Sequence, residues 1–402
     1  MKLYFDSRAI AGLALLSLVF YLPVRAAVEL EAATGGLPLD FITKQFTLIQ
    51  LLTPMMFMLL VFLIVGRWAA PETDNQYRAF VVVLAAFFII AVSYVALFDR
   101  ATYDSNARSV TAFNVGVVLS HVFALSVGAF LWRALAYGVV VLVCWLLLVL
   151  QVLSSIDFAS FSLSVSAIDP DRIAVYLLYG DTFAVWSLLA VAVLRSDIAR
   201  LSVYLASLII AFTLYSRTSF YALAFVFPII MLRLGKPARI GAIAIFSGVV
   251  IAFLLLYGEN LFEHRMFRFL IEGSDASLSL RELQAVAGYK AIFENWIGGD
   301  YAGQVRDFGV IGSYIHNILS YWRQFGLFAF VCLLYMIFAC VGFWWKTLRF
   351  PVHESKELDS FVFLFPLILV ESLFSRSYNF PYLWLLLGAY LGVPNEWRKM
   401  VR

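Results

Sequence analysis

Apolar residues run along this chain in long blocks separated by short polar breaks, and most blocks match the ~20 residues that a helix needs to cross a bilayer. They fall near 9–26, 47–66, 79–98, 111–131, 134–152, 173–194, 201–215, 217–232, 240–257, 323–345, 360–375 and 380–394. This pattern predicts an all-α polytopic membrane protein of about twelve transmembrane helices. The seventh and eighth blocks are short and parted only by Ser216-Arg217-Thr218, so eleven spans with a re-entrant break is the rival count. Prolines and glycines stand at the block ends, where helices stop. The chain divides into helices 1–9 over 1–257, a polar loop over 258–322, and helices 10–12 with a tail over 323–402.

The loop is patterned rather than featureless. Ser279 and Arg281-Glu282 open a segment with Leu283, Val286, Ala287, Lys290, Ala291 and Phe293 at helical spacing, broken by Trp296-Ile297-Gly298-Gly299. Leu261, Phe262, Met266, Phe267, Phe269 and Leu270 form the apolar face of a second short helix, suited to lie in the membrane plane. Residues 300–312 are glycine-rich and predicted irregular, and His316 falls at the mouth of the tenth span.

Composition agrees with the pattern. Hydrophobic residues make up 63% of the chain and charged residues 14%, against roughly 45–50% and 25% in soluble domains. A net charge of +3 gives no reason to expect a nucleic-acid partner. Cys144, Cys332 and Cys340 lie inside apolar runs and form no CxxC motif or disulfide framework. The start resembles a signal peptide, with Ala26 and Ala27 after an apolar run, but is read as the first span because many spans follow. Lys and Arg concentrate in alternate short loops: Arg67 and Arg78, Arg133, Arg195 and Arg200, Arg233 to Arg239, Lys346 to Lys356, and the tail. By the positive-inside tendency these are cytoplasmic, which puts both termini inside and the 258–322 loop outside.

Two arginines sit where a spanning architecture should avoid them. Arg217 and Arg376 each occupy a Ser-Arg-Ser/Thr break at the outer end of apolar blocks. A charge at membrane depth costs several kcal/mol unless it pairs, snorkels or lines a wet cavity. Guanidinium matches phosphate bidentately, so Arg217, Arg281 and Arg376, with Arg265 and Arg268, are candidates for a pyrophosphate pocket. His316, beside this set, is the candidate general base. His121 reads as packed in mid-span, His264 as a weaker candidate and His353 as cytoplasmic. The outer-loop carboxylates, including Asp300 and Asp307, form no DxD or ExxH pattern, so no catalytic metal and no cofactor are expected.

The order of motifs resembles the O-antigen ligase/polymerase superfamily. Arg281-x-Leu283 leads to Ala291-Ile292-Phe293-Glu294-Asn295-Trp296-Ile297-Gly298-Gly299, then His316-Asn317-Ile318-Leu319 and Gln324-Phe325-Gly326-Leu327, with Ser216-Arg217-Thr218 opening an earlier span. In that superfamily an Arg opens a periplasmic helix that ends in a glycine turn, and an HN-x-x-L motif precedes a span. The chain departs where Gly298-Gly299-Asp300-Tyr301-Ala302-Gly303 replaces G-x-G and where Gln324 replaces an acidic residue. The resemblance implies a GT-C-like, inverting, metal-independent glycosyltransferase of the bacterial inner membrane, acting at its periplasmic face. Its donor is an undecaprenyl-pyrophosphate-linked oligosaccharide. On that footing His316 deprotonates the attacking hydroxyl, Arg217 and Arg281 hold the pyrophosphate, and Asn317 orients His316. Arg376, Arg265, Arg268 and Tyr301 become substrate contacts.

The favoured expectation is an O-antigen polymerase joining lipid-linked repeat units in lipopolysaccharide biosynthesis, working beside a flippase and a chain-length regulator. The alternative is an O-antigen ligase passing the glycan to lipid A–core. The loop is poor in extra basic residues for a phosphorylated acceptor, which favours the polymerase. A twelve-span secondary transporter is the alternative from another class. It would call for repeats and buried mid-span ionisable residues, and the sequence shows no repeat between halves and few mid-span Asp, Glu or Lys.

Overall fold

A computed structural model describes residues 7–33, 39–70, 73–97, 107–157, 162–163, 175–214, 216–241, 243–244, 247–248, 276–309, 314–349, 356–394 and 397–398. Most of the block at 240–257, the expected in-plane helix over 261–270, His264, Arg265 and Arg268 lie outside these residues. Among the described residues the protein is helical apart from a two-residue antiparallel pairing of Ile156–Asp157 with Ser162–Leu163. Among the described residues, seven helices are long and apolar enough to cross a membrane: Arg8–Ala33, Leu51–Trp68, Asn75–Leu97, Val110–Ala129, Leu131–Ser155, Val175–Val193 and Leu319–Leu348. This is the architecture of an all-α membrane protein. The blocks at 201–215, 217–232, 360–375 and 380–394 are helical too. They are shorter or more charged, forming Asp197–Thr213, Arg217–Phe225 with Phe227–Arg233, Lys356–Phe374 and Pro381–Gly392. Pro23 sits in a π-helical turn over Phe20–Val24, inside Arg8–Ala33. An amide without N–H cannot continue the α-helical ladder, and a π turn absorbs the loss.

Contacts divide the chain into two compact units, each made of three segments: Met1–Leu52, Phe130–Gly273 and Arg349–Leu367 in one, Thr53–Ala129, Ser274–Leu348 and Ile368–Arg402 in the other. The first unit is built round Val175–Val193, sixteen of whose nineteen residues are buried. Trp186 donates to the Val141 carbonyl at 2.8 Å, and Tyr179 to the Leu148 carbonyl at 2.9 Å. Beside it, Asp197–Thr213 and the pair Arg217–Phe225 and Phe227–Arg233 form an antiparallel hairpin. Tyr204 reaches the Leu223 carbonyl at 2.8 Å, and the Gly235 amide returns to Asp197 at 2.9 Å. The open end of this hairpin is closed by charge. Asp359, 2% exposed, receives Arg200 at 2.8 Å and Arg233 at 3.5 Å.

The second unit packs Asn75–Leu97, Ala107–Ala129, Leu319–Leu348 and Pro381–Gly392. Its tightest crossing is between Gly128 and Gly388. A Cβ on either would stand 2.0 Å from a carbonyl oxygen of the other helix, Leu385 or Leu125. Small residues at such crossings let membrane helices approach to backbone contact. His121 lies within this core, stacked 5.0 Å from Trp384, in the packing role expected for it.

The helix Ala276–Glu294 sits against the start of Leu319–Leu348. Its buried side is Gln284, Gly288, Ala291 and Ile292, whereas Leu283, Val286 and Phe293 are exposed. The stretch is helical, as its spacing predicts, but burial falls on a neighbouring face that shares only Ala291 with the expected apolar set. Gly288 explains why: a Cβ there would be 2.2 Å from the Ile315 side chain, so this face is the one cut for close approach.

Candidate active site

The glycine-rich turn comes first, because it sets where everything else stands. Helix Ala276–Glu294 ends, and the chain folds over residues 296–303 onto the head of Leu319–Leu348. Gly326 interrupts that helix with φ 74° and ψ 179°, a conformation essentially restricted to glycine. The break exposes the Leu327 amide, which donates to the Ile297 carbonyl at 3.1 Å, while Asp300 N donates to the Arg323 carbonyl. A Cβ on Gly326 would lie 2.2 Å from the Ile297 oxygen, and one on Gly299 would lie 2.6 Å from Gly326 N. Trp322 donates to the Trp296 carbonyl at 2.7 Å, and Tyr94 to that of Gly298.

Charge then locks the turn. Arg323, 1% exposed, binds Asp300 at 3.1 Å and Asp307 as well. Arg306 binds the same Asp300 oxygen at 3.0 Å and the other oxygen of Asp307 at 3.3 Å. Gly303 is required beneath Asp300, since a Cβ there would fall 1.8 Å from the carboxylate. Gln324 uses both ends of its amide: its oxygen accepts from Ala302 N at 2.9 Å and its nitrogen donates to Gln304 at 2.7 Å. Ala302, in the left-handed region at φ 54°, is held there by that bond. A carboxylate at 324 could accept from Ala302 but could not donate to Gln304, so this turn calls for a glutamine there.

His316 lies between this turn and the loop joining Lys356–Phe374 to Pro381–Gly392. Its Nδ1 is 3.3 Å from the Ser375 carbonyl. A carbonyl only accepts, so Nδ1 carries the proton and Nε2 keeps its lone pair. Burial, then the positive charges of Arg281 and Arg376, push the imidazole pKa down to about 4, against the smaller opposing effect of the Ser375 bond. The ring is neutral at pH 7. The Ser375 carbonyl is presented by a tight turn in which the amides of Ser375 and Arg376 both donate to the Glu371 carbonyl, at 3.0 and 2.8 Å. Ser377 donates to Asn379 at 2.6 Å, and Pro381 opens the next helix.

The structure therefore brings together three residues singled out in the sequence: Arg281, His316 and Arg376. Asn317 has a different task from the one expected. Its side-chain oxygen accepts from Leu319 N at 2.9 Å and caps the following helix, and its amide donates to Tyr289 at 3.2 Å. The group that orients His316 is the Ser375 carbonyl. The Tyr301 ring packs 6.1 Å from those of Tyr94 and Phe325, in the cluster of Val110, Ala302 and Val305. Arg217 belongs to the first unit, at the N-terminus of Arg217–Phe225. Beside it Ser219 donates to the buried Asp181 at 2.6 Å and stands 2.7 Å from Ser216.

Sequence reasoning passed over Asp181, Ser375 and Arg323, and it read Gln324 only as a departure from a motif and Asp300 and Asp307 only as carboxylates without a metal pattern. A signal existed for Arg323, an arginine at the first position of an apolar block and within three residues of a glycine. Ser375 acts through its backbone and leaves no side-chain signature. Among the described residues, no three His, Cys, Asp or Glu side chains converge on a point that could hold a metal ion. Compared with protein-family models and with curated proteins, the chain matches none.

Proposed function

We propose that the chain is an O-antigen polymerase, an inverting glycosyltransferase that joins undecaprenyl-pyrophosphate-linked repeat units at the periplasmic face of the bacterial inner membrane. The observation that carries the reading is the state of His316. It is partly buried, protonated on Nδ1, open on Nε2 and flanked by Arg281 and Arg376. That is a neutral base beside an anion site, the pair that a transfer from a pyrophosphate requires. The motif order resembling the O-antigen ligase/polymerase superfamily supports the same reading. So does the hairpin of Asp197–Thr213 and Arg217–Arg233, whose two limbs fit the separate seventh and eighth spans of a twelve-span protein with both termini in the cytoplasm.

The step proceeds as follows. Nε2 of His316 takes the proton of an acceptor sugar hydroxyl as its oxygen attacks the anomeric carbon. The bond from that carbon to the pyrophosphate breaks, and its electron pair leaves on the phosphate oxygen, where arginine charge receives it. Attack opposite the leaving group inverts the centre. The low basicity of His316 has a use here. Burial is the main cause of that low basicity, and pyrophosphate bound at Arg281 and Arg376 offsets the part their charges add, so the base strengthens somewhat when the donor arrives.

The test is transfer in vitro with a purified lipid-linked repeat unit. His316→Ala is expected to abolish product while leaving folded protein in the membrane, and Arg281→Lys to fail because one ammonium cannot replace a bidentate fork. Wild-type-like product from His316→Ala would sink the mechanism. A ladder on the carrier lipid marks a polymerase, and a single transfer to lipid A–core marks the ligase alternative. Solute flux in proteoliposomes that survives His316→Ala would turn the reading to a secondary transporter.

A further inference from the structure

At the other end of the second unit, a groove of about 240 Å³ runs along the last three turns of Leu319–Leu348. One wall is a single helix face: Tyr335, Phe338 and Ala339, Gly342 and Phe343, and Lys346. These positions follow i, i+3/i+4, i+7/i+8 and i+11, a stripe roughly 16 Å long at 1.5 Å per residue. The stripe is apolar except at its end. Phe338 is 67% and Tyr335 39% exposed, and Gly342 has nothing within 4 Å of where a Cβ would stand. The helix is one of those long and apolar enough to cross a membrane, so this open face looks onto acyl chains.

The polar end is built with more care than an interface requires. Arg398, 8% exposed, is fixed by the Val393 and Tyr390 carbonyls and lies over the rings of Tyr390 and Tyr77 at 4.6 and 5.0 Å. Asp74 is engaged with the Gln76 amide at 3.1 Å, capping Asn75–Leu97. Lys346 is exposed and makes no ion pair with a described residue. Two cations against one occupied carboxylate leave this end of the groove with one net positive charge. Trp344 and Trp345 stand at the same level, where indoles favour the headgroup region.

We propose that this groove binds one anionic phospholipid, its acyl chain along Phe338 and Gly342 and its phosphate on Lys346 beside Arg398. The site stands roughly 35 Å along the helix from Arg323, by 23 residues at 1.5 Å each. It is independent of the transfer chemistry and rests only on the helix crossing a membrane. A bound lipid would fasten the start of Asn75–Leu97 and the ends of Leu319–Leu348 and Pro381–Gly392 to one another.

The experiment is native mass spectrometry of the purified chain titrated with phosphatidylglycerol or phosphatidylcholine of matched acyl chains. Wild type is expected to retain one phosphatidylglycerol in preference to phosphatidylcholine. Lys346→Gln should weaken that retention about fivefold, the share of one basic residue at a lipid surface. Gly342→Phe should block retention of both lipids while the elution volume of the folded protein stays unchanged. Lys290→Gln, an exposed lysine on the far polar segment, should change nothing. Equal retention of the two lipids by wild type, or wild-type retention by both Lys346→Gln and Gly342→Phe, overturns the proposal. If Gly342→Phe alters the elution volume, the Lys346→Gln ratio alone decides.

Discussion

The two units use arginine and aspartate in different proportions, two arginines to one aspartate in the first and two to two in the second. In the first, one carboxylate, Asp359, sits between Arg200 and Arg233. In the second, one arginine, Arg323, sits between Asp300 and Asp307. The first cluster is dry, its side chains 3–4% exposed. The second is graded toward water: Arg323 at 1%, Asp300 at 9%, Asp307 at 24% and the added Arg306 at 55%. Burial makes the first a clamp, because any lost partner strands a charge without solvent. Gradation makes the second a positioning device. It can give up one pair and keep others, and what it holds is the turn that leads to His316.

That contrast is open to breakage, starting with the largest effect. Asp359→Ala should cost about 3–5 kcal/mol, as expected when a buried pair loses one side, read as a lowered thermal midpoint of the purified protein in detergent. Gly326→Ala should cost about 2–3 kcal/mol, since it combines a clash on the Ile297 carbonyl with a backbone shape costly to any other residue. It should also reduce transfer. Arg323→Met should be milder, about 2 kcal/mol, because Arg306 still neutralises Asp300. An Arg323→Met loss as large as that of Asp359→Ala would erase the distinction between clamp and device. Gln324→Glu should cost about 1–2 kcal/mol through the lost bond to Gln304, measured the same way.

The pH dependence gives the subtlest signal. His316 has its folded pKa lowered from 6.5 to about 4, first by burial and then by Arg281 and Arg376. Between those values the unfolded chain binds more protons than the folded one, so stability falls as pH drops from 6.5 toward 4. On the proposed mechanism, kcat/KM for transfer, which follows the free enzyme, should stay level from pH 8 down to about 5 and fall as pH passes through about 4. His316→Ala should remove the stability slope in that window. A kcat/KM midpoint near 6.5 would mean that His316 is neither buried nor beside the two arginines in the working protein.

Part of the candidate site was legible in the sequence, and the rest was not for identifiable reasons. Arg281, His316 and Arg376 stood out because polar residues at the ends of apolar blocks are costly and therefore conspicuous. Asn317 was conspicuous too, but its position two residues before a helix marks a cap as readily as a catalytic partner, and the structure uses it as a cap. Asp300 and Asp307 read as carboxylates lacking a metal pattern. Their partner, Arg323, lies across a turn whose path depends on Gly299 and Gly326 meeting.

The sequence alone determined that this is a helical membrane protein, and it located most helix boundaries to within a few residues. Hydrophobic length against bilayer thickness and the punctuation by Pro and Gly are one-dimensional constraints, readable along the chain. Which face of Ala276–Glu294 is buried, which carbonyl holds His316 and which arginines are struts were decided only in three dimensions. Those outcomes depend on close approach between distant segments, at Gly288 against Ile315 and Gly299 against Gly326, and on backbone acceptors that every residue carries alike.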